Sequence, residues 1–282
     1  MSEHDAAPAA VAGGDQRNLL MRIAAALVLA PLAIGAAYAG GWYWTVLATL
    51  GAIGLFVEWL AVTYTARNVP VSAAGVVALV LSAPFLAIGN VNAALVVLAL
   101  GLVAVAFRAT EPRIWAVAGF LYAAAAQVAA LLVRLDQAKG LSALILVLLV
   151  VWATDIGGYF AGRAIGGPKL WPRVSPKKTW AGAIGGFVAS LLVAIGFSAS
   201  DLGKTLPLVI LAAMLSVAAQ LGDLFESAIK RRFGVKDSGH IIPGHGGVMD
   251  RLDGFVAAIV LAAIFGVLRG GADGVGRALM VW

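Results

Sequence analysis

Apolar residues dominate the chain in long runs that are separated by short polar breaks. The runs fall near residues 19–39, 42–64, 71–89, 92–107, 114–133, 141–162, 181–199, 205–229 and 253–269. A helix of about twenty apolar residues is long enough to cross the hydrocarbon core of a bilayer. The breaks contain Gly, Pro, Asn or charged residues, which punctuate helices. The pattern therefore predicts an all-α polytopic membrane protein with about nine transmembrane helices and short loops.

Two parts of this pattern admit a second interpretation. The third and fourth runs are short, and as one re-entrant pair they would leave eight spans. The first run follows Arg17 and Arg22 and ends in Ala37-Tyr38-Ala39, so it resembles a secretory signal peptide. An uncleaved first helix is favoured, because eight further apolar runs follow. Residues 1–16 are polar and aperiodic, and are predicted to be a disordered N-terminal tail.

The composition supports the membrane class. Of 282 residues, 62% are hydrophobic and 12% are charged, whereas a soluble domain is nearer half apolar and a quarter charged. The net charge of +6 makes nucleic acid a candidate partner. The cations lie in breaks between apolar runs and form no basic stripe with interleaved aromatics, so no nucleic-acid binding is expected. The absence of cysteine excludes disulfides, thiolate metal sites and cysteine nucleophiles.

The distribution of Lys and Arg predicts the orientation of the chain. If the N-terminus is inside, only five of the 20 cations lie on the outer side, namely Arg134, Lys139, Lys204, Arg269 and Arg277. The positive-inside rule then places the other 15, and the two longest polar breaks at 163–180 and 230–252, in the cytoplasm. We expect a multi-pass protein of a bacterial-type inner membrane whose active site faces the cytoplasm.

Residues 17–140 are predicted to form N-terminal transmembrane helices, and residues 141–282 a C-terminal transmembrane catalytic region. The first unusual polar residue of that region is Asp155, a carboxylate within an otherwise apolar span. Such a group is costly and suggests a function. Asp155 and Tyr159 are four residues apart and share one helix face. The alternative is that Asp155 pairs with a buried arginine for structural reasons.

The second unusual segment is Ser175-Pro-Lys177-Lys178-Thr179. A proline-set turn would put two ammonium groups and two hydroxyls at the start of the next helix. A helix N-terminus with lysines beside it attracts anions. A loop that is cationic only because of membrane topology is the alternative.

The third unusual segment, residues 222–254, carries acids and cations at regular spacing. Asp223, Glu226 and Lys230 lie at i, i+3 and i+7, which predicts one helical stripe. Asp250 and Asp253 lie three residues apart at the start of the last span. Oxygen ligands without Cys or several His favour a hard cation such as Mg²⁺.

A glycine-rich turn precedes these last two aspartates. Gly246 and Gly247 follow His245, and glycines in such a turn can expose backbone N–H groups to an anion. His245 is as readily a structural histidine as a substrate ligand.

The third segment resembles the signature of the phosphatidate cytidylyltransferase family, also called CDP-diglyceride synthetases. The matching residues read Ser227-x2-Lys230-Arg231-x4-Lys236-Asp237-x-Gly239-x3-Pro243-x-His245-Gly246-Gly247-x2-Asp250-Arg251-x-Asp253. The two earlier segments resemble the upstream motifs of the family, so the likeness covers roughly residues 150–255. Ala181 stands where members of the family usually carry Glu.

The resemblance implies that the phosphate of phosphatidic acid attacks the α-phosphorus of CTP, with Mg²⁺ or another divalent cation as cofactor. It implies four metal ligands: Asp223, Asp250, Glu226 and Asp253. It implies five catalytic residues: Asp223, Lys230, Asp250, Arg251 and Asp253. It implies these substrate-binding residues: Asp155, Tyr159, Ser175, Lys177, Lys178, Thr179, Arg231, Lys236, Asp237, His245, Gly246 and Gly247.

The expected partners are CTP, phosphatidic acid and membrane lipid, and the sequence leaves a homodimer open. A CTP-dependent polyprenol kinase is the nearest alternative enzyme. A transporter is the alternative from another class, and it would place acids near the bilayer midplane within an inverted repeat. Here the charges gather at one edge and no repeat is found.

Overall fold

The computed structural model describes residues 31–63, 68–110, 112–239 and 246–282, which are mostly helical. The elements, in chain order, are α1 (31–39), α2 (Gly41–Val62), α3 (Val69–Ala87), α4 (Val91–Arg108), α5 (Arg113–Leu135), α6 (Gly140–Ile165), β1 (Lys169–Trp171), β2 (Ser175–Thr179), α7 (Trp180–Ala199), α8 (Thr205–Arg232), α9 (Met249–Gly270), the 3₁₀ turn η1 (Ala272–Gly274) and α10 (Val275–Met280).

Within the described ranges, eight helices, α2 to α9, are long and apolar enough to cross a membrane. This confirms the predicted all-α polytopic class. The predicted tail, residues 1–16, and most of the first predicted span, 19–39, lie outside the described residues. Helices α3 and α4 are separate and each is of spanning length, which favours two spans over one re-entrant pair.

Side-chain caps explain why the chain turns between α2, α3 and α4. Asn68 accepts a hydrogen bond from Val71 N at 3.3 Å, and Asn90 accepts one from Ala93 N at 3.2 Å. Each asparagine therefore satisfies a backbone donor that the first turn of its helix leaves unpaired. Between the two helices, Gly89 adopts a positive φ of 79°, which glycine tolerates without steric cost.

Helices α6 and α7 form the closest helix pair of the fold, because glycines face each other across it. A Cβ added at Gly182 would lie 2.8 Å from Gly158 O, and one added at Gly157 would lie 3.0 Å from Gly185 O. Small residues allow helix backbones to approach in lipid, where dispersion replaces the hydrophobic effect as the driving force. Gly157 and Gly158, which follow Asp155 in the sequence, therefore lie where the two backbones approach most closely.

A β-hairpin connects α6 to α7, where the sequence predicted an irregular break with a proline-set turn. Strands β1 and β2 are antiparallel, with Lys169 opposite Thr179 and Trp171 opposite Ser175. Strands of three and five residues are too short to give a recognisable alternation of polar and apolar positions. The turn prediction was therefore wrong for residues 175–179, which are extended.

The chain topology gathers the polar ends of the last helices on one side of the bundle. The C-terminal ends of α6 and α8, the hairpin and the N-terminal ends of α7 and α9 all lie at this side, which we call the hairpin face. Helices α8 and α9 extend past their apolar runs, so that Lys230 and Asp250 belong to helical turns. On the opposite face, Asp136 binds Arg277 and ties the α5–α6 connection to α10.

Candidate active site

A cavity of about 600 Å³ lies at the hairpin face between α6, the hairpin, α7 and α8. Six predicted site residues line it: Asp155, Tyr159, Lys177, Lys178, Thr179 and Asp223. Gly158, Gly162 and Gly182 also line it, so the cavity borders the close α6–α7 interface. The structure thus brings the first two sequence segments and the start of the third to one place.

Lys178 on β2 contacts the carboxylate of Asp223 on α8. Their side chains are 31% and 29% exposed, so both groups are accessible from the cavity. The sequence predicted that Asp223 shares a stripe with Lys230. In the structure the cationic partner of Asp223 comes from the hairpin instead.

Two further carboxylates, those of Asp155 and Asp253, stand close to this ion pair. Asp155 and Asp223 interact electrostatically with each other, and Asp253 interacts with both. Lys178 also acts on Asp155 and Asp253. One ammonium group among three carboxylates leaves the cluster with an excess of negative charge when all are ionised.

A second ionic cluster, more buried than the first, lies between α8 and α9. Lys230 Nζ lies 2.8 Å from Glu226 Oε1 and 2.5 Å from Asp250 Oδ1. Glu226 is almost wholly buried, with 1% of its surface exposed, and it interacts electrostatically with Asp253. Asp253 therefore stands between the cavity cluster and this buried cluster.

Asp250 binds two described residues that precede α9, Ser238 and Gly247. Asp250 Oδ2 accepts hydrogen bonds from Ser238 N and Gly247 N, each at 3.0 Å, and lies 3.0 Å from Ser238 Oγ. The N–H of Gly247, predicted to meet an anion of the substrate, is thus bound to a carboxylate of the chain itself. Gly246 adopts a positive φ of 83° beside it, and His245 lies outside the described residues.

Glu58 of α2 also contacts residues on both sides of this segment, although it belongs to none of the three unusual sequence segments. Its carboxylate accepts hydrogen bonds from Val248 N, Met249 N and Ser238 Oγ, each at 2.8 Å. Glu58 is a lone acid within a predicted apolar span, which is the same signal that identified Asp155. The presence of a lone acid in an apolar span would therefore have identified Glu58 as well.

The other predicted residues make contacts outside these two ionic clusters. Thr179 caps α7, since its Oγ1 accepts a hydrogen bond from Gly182 N at 3.1 Å. Tyr159 Oη accepts one from Arg163 at 2.8 Å. Ser175 begins β2 and is half-buried. Arg231 donates to Val235 O at 3.0 Å, and the other predicted residues that lie exposed on this face are Lys236, Asp237 and Arg251.

The donor set around Asp223 fits a hard divalent cation in its chemistry. The acidic ligands there are carboxylate oxygens, which Mg²⁺ prefers, and their summed negative charge exceeds the positive charge of Lys178. In the described part of the chain, no three His, Asp or Glu side chains are already gathered closely enough to hold a metal together. Carboxylates of the protein would therefore supply only part of a coordination shell, as is usual where substrate phosphates complete it.

Comparison with known proteins gives a consistent result. Residues 20–268 match the family described as the Cytidylyltransferase family. A protein of Brucella suis named phosphatidate cytidylyltransferase is 38% identical over 263 residues, covering 89% of this chain and 94% of the relative. A Bacillus subtilis protein of the same name is 48% identical over 128 residues, covering 44% and 46%. The family match spans both the N-terminal helices and the site, and the chain belongs to the cytidylyltransferase family.

Proposed function

We propose that this chain transfers the cytidylyl group of CTP to the phosphate of phosphatidic acid, giving CDP-diacylglycerol and pyrophosphate. The observation that carries the proposal is the cavity at the hairpin face, where lysines and carboxylates meet at the edge of a bundle of membrane-spanning length. A water-soluble triphosphate and a lipid phosphate can both reach such a place. The name shared by the Brucella suis and Bacillus subtilis relatives supports the same activity.

The chemistry requires little from a general base. A phosphomonoester has a second pKa of about 6 and is largely dianionic near neutral pH. An oxygen of that dianion attacks the α-phosphorus of CTP, the bond from this phosphorus to the bridging oxygen breaks, and pyrophosphate leaves. The main obstacle is the mutual repulsion of two polyanions, so catalysis depends on positioning and electrostatic stabilisation.

The cavity supplies these effects from separate elements. Lys177 and Lys178 on β2 are placed to bind phosphate groups of CTP. Arg251 at the start of α9 can bind a phosphate in two-point fashion through its planar guanidinium. Asp223, with Asp155 and Asp253 beside it, would hold the divalent cation. That cation would neutralise phosphate charge and stabilise the leaving pyrophosphate.

In this proposal Lys230 binds Glu226 and Asp250, and none of the three side chains binds the metal directly. Asp250 was predicted to be a metal ligand, yet its oxygens accept hydrogen bonds from Lys230, Ser238 and Gly247. Glu226 is in turn held by Lys230. We therefore place these three side chains behind the metal site, where they set the relative position of α8 and α9.

The proposal places the hairpin face in the cytoplasm of a bacterial-type inner membrane, because the excess of Lys and Arg lies on that side and CTP is cytoplasmic. Most charged site residues lie toward the hairpin-face ends of the helices and the sequence shows no inverted repeat, which argues against a transporter. Nucleic acid is not expected as a partner.

The test is an assay of the purified protein in lipid with Mg²⁺, phosphatidic acid and CTP labelled on either the α- or the γ-phosphate. Cytidylyl transfer carries the α-label into lipid and the γ-label into pyrophosphate. A CTP-dependent kinase would instead carry the γ-label into lipid. Absence of labelled lipid with every divalent cation, from protein shown to be folded, would contradict the proposal.

A further inference from the structure

Glu58 lies far from the signature in sequence but touches it in space. It belongs to α2, where 2% of its surface is exposed. Its hydrogen-bond partners in the described part of the chain are all neutral: two backbone N–H groups and one hydroxyl. A carboxylate buried among apolar helices is costly unless its oxygens are satisfied. Here both oxygens are directed at the segment that begins α9.

The two backbone donors belong to the N-terminal end of α9. Val248 N donates to Glu58 Oε1 and Met249 N donates to Glu58 Oε2. The first N–H groups of a helix have no partner within the helix, and the side chain of the N-cap residue Val248 does not cap this one. Glu58 therefore caps α9 from another helix. Its negative charge also lies at the positive end of the α9 dipole.

The third contact links Glu58 to the ionic cluster. Ser238 Oγ lies 2.8 Å from Glu58 Oε2 and 3.0 Å from Asp250 Oδ2. Asp250 in turn binds Lys230 of α8 at 2.5 Å. A continuous series of polar contacts thus runs from α2, through Ser238 and the first turn of α9, to α8.

Glu58 also explains two glycines of the signature. A Cβ added at Gly239 would lie 2.9 Å from Glu58 Oε1, and one added at Gly247 would meet Ser238 Oγ first and then the Glu58 carboxylate. Neither glycine has a positive φ. The close approach of Glu58, joined at Gly247 by Ser238, therefore leaves little room for a side chain at either position, whereas the backbone conformation does not demand glycine.

We infer that Glu58 is a positioning residue for the reaction: it holds Ser238 and the first turn of α9 so that Asp250, Arg251 and Asp253 keep their places beside α8. This inference rests on the proposed function for its kinetic consequence. The cavity that receives substrate is built by α6, the hairpin, α7 and α8, and Glu58 does not line it. Loss of Glu58 therefore affects turnover more than substrate binding.

The kinetic test compares Glu58→Gln with the wild type and with Gln127→Met. The amide introduced by Glu58→Gln presents an NH₂ group where the backbone donors need an acceptor. We expect kcat to fall about tenfold or more, because small misplacements of catalytic groups have large effects. The Michaelis constants for CTP and phosphatidic acid should stay within about threefold. Gln127 is a matched control, since it is similarly buried and bonds to Thr49 and Leu79 O, away from α9.

A second variant and a second measurement keep the inference testable if Glu58→Gln folds poorly. Ser238→Ala removes only the link between the two carboxylates, and should lower kcat about threefold or more without loss of folded protein. In a Val248→Cys background, Glu58→Gln should raise the rate of thiol labelling about tenfold, because release of the α9 N-terminus allows local opening. Gln127→Met should leave both quantities unchanged.

The outcomes separate this inference from the proposed function. A wild type that makes no CDP-diacylglycerol contradicts the proposed function, while the labelling rates still decide whether Glu58 holds the α9 segment. An active wild type with unchanged kcat in both Glu58→Gln and Ser238→Ala overturns the inference and leaves the function intact. Equal loss of kcat in the Gln127 control would also overturn it, since the effect would then be one of general stability.

Discussion

Lys178 on strand β2 contacts Asp223 on helix α8 and joins the hairpin to the opposite wall of the cavity. This contact places a cation from one sequence motif on an acid from another, 45 residues apart. Both groups face the cavity, so an incoming triphosphate and its metal ion would meet them together. Substitutions at this pair and at the charged residues around it therefore test the role of each.

The first prediction distinguishes Asp223 from Asp250. Asp223→Asn should lower kcat/KM at least about a hundredfold, as expected for loss of a metal ligand. It should leave the melting temperature nearly unchanged, because a partly exposed ion pair contributes little to stability. Asp250→Asn should lower both activity and melting temperature, since it breaks a largely buried ion pair with Lys230 and disturbs the hydrogen bonds that its side chain accepts.

The measurements are steady-state kinetics and thermal unfolding of the same purified samples. Asp201→Asn, on the opposite face, is the control for removal of one carboxylate. Near-normal activity of Asp223→Asn at ordinary Mg²⁺ would show that Asp223 is not a ligand. Unchanged stability of Asp250→Asn would contradict the structural role assigned to that residue.

The second prediction concerns the lysines of the hairpin. Lys177→Ala combined with Lys178→Ala should raise the Michaelis constant for CTP about tenfold or more, since two charge-assisted contacts to phosphate are lost. The maximal rate should fall less. Lys204→Ala removes a cation from the opposite face and should change neither constant. If only the phosphatidic acid dependence changes, the hairpin binds the lipid head group instead.

Arg251 gives a third, separate prediction. Arg251→Lys keeps the positive charge but loses the planar fork that binds phosphate at two points. We expect a fall in turnover of about tenfold, with Michaelis constants close to those of the wild type. The variant is compared with the wild type by steady-state kinetics in which CTP and phosphatidic acid are varied separately. Full turnover would show that charge alone is sufficient at this position.

The fold was predictable where hydropathy alone decides the structure. Spans of about twenty apolar residues have one stable arrangement in lipid, because every backbone polar group must be satisfied internally. The eight described spanning helices agree with the predicted runs for this reason. Hydropathy could not give the ends of α8 and α9, since the terminal turns carry charged residues such as Lys230 and Asp250 although they are helical.

The site was predictable only in part. The acids and cations were recognised because charge is rare in this chain, but their pairing depends on which helices are neighbours. Thus Lys178 could not be assigned to Asp223, nor Lys230 to Asp250, from spacing along the sequence. The hairpin was missed because its strands are very short. Glu58 was missed although its signal, a lone acid in an apolar span, was present.

The fourth prediction tests the close α6–α7 interface that borders the cavity. Gly182→Val should destabilise the protein and reduce activity, because even a Cβ at this position would lie 2.8 Å from Gly158 O and the helices would have to separate. Ile184→Val, two residues along on the exposed side of α7, is the control and should behave like the wild type. Thermal unfolding and specific activity are measured for both. Normal stability of Gly182→Val would contradict the observed packing.

The fifth prediction concerns pH and the face opposite the site. Burial of the Asp136 carboxylate raises its pKa, but hydrogen bonds from the backbone N–H groups of Arg277, Ala138 and Lys139 and from the Arg277 side chain outweigh this effect. The net result is a lowered pKa. A lowered folded-state pKa means that the ionised group stabilises the fold above the unfolded pKa of about 3.9. That stabilisation is lost as pH falls through the folded pKa.

Asp136→Asn should therefore lower the melting temperature at pH 7 by at least about 2 °C, and the difference from the wild type should shrink below about pH 4. Asp273→Asn removes an exposed carboxylate from the same face and should have little effect at either pH. Thermal unfolding from pH 3 to pH 8 supplies the comparison. A difference that stays constant over this range would show that ionisation of Asp136 does not contribute.

The last prediction tests the orientation of the chain in the membrane. The chain contains no cysteine, so a single cysteine at Lys236 or at Gln137 is the only thiol that a reagent can modify. Both positions are exposed, Lys236 on the hairpin face and Gln137 on the opposite face. With the hairpin face in the cytoplasm, an impermeant reagent added to intact spheroplasts should label only Gln137→Cys. The same reagent added to inside-out vesicles should label only Lys236→Cys. Labelling of Lys236→Cys from the outside of intact spheroplasts would place the cavity on the side without CTP, which is incompatible with the proposed reaction.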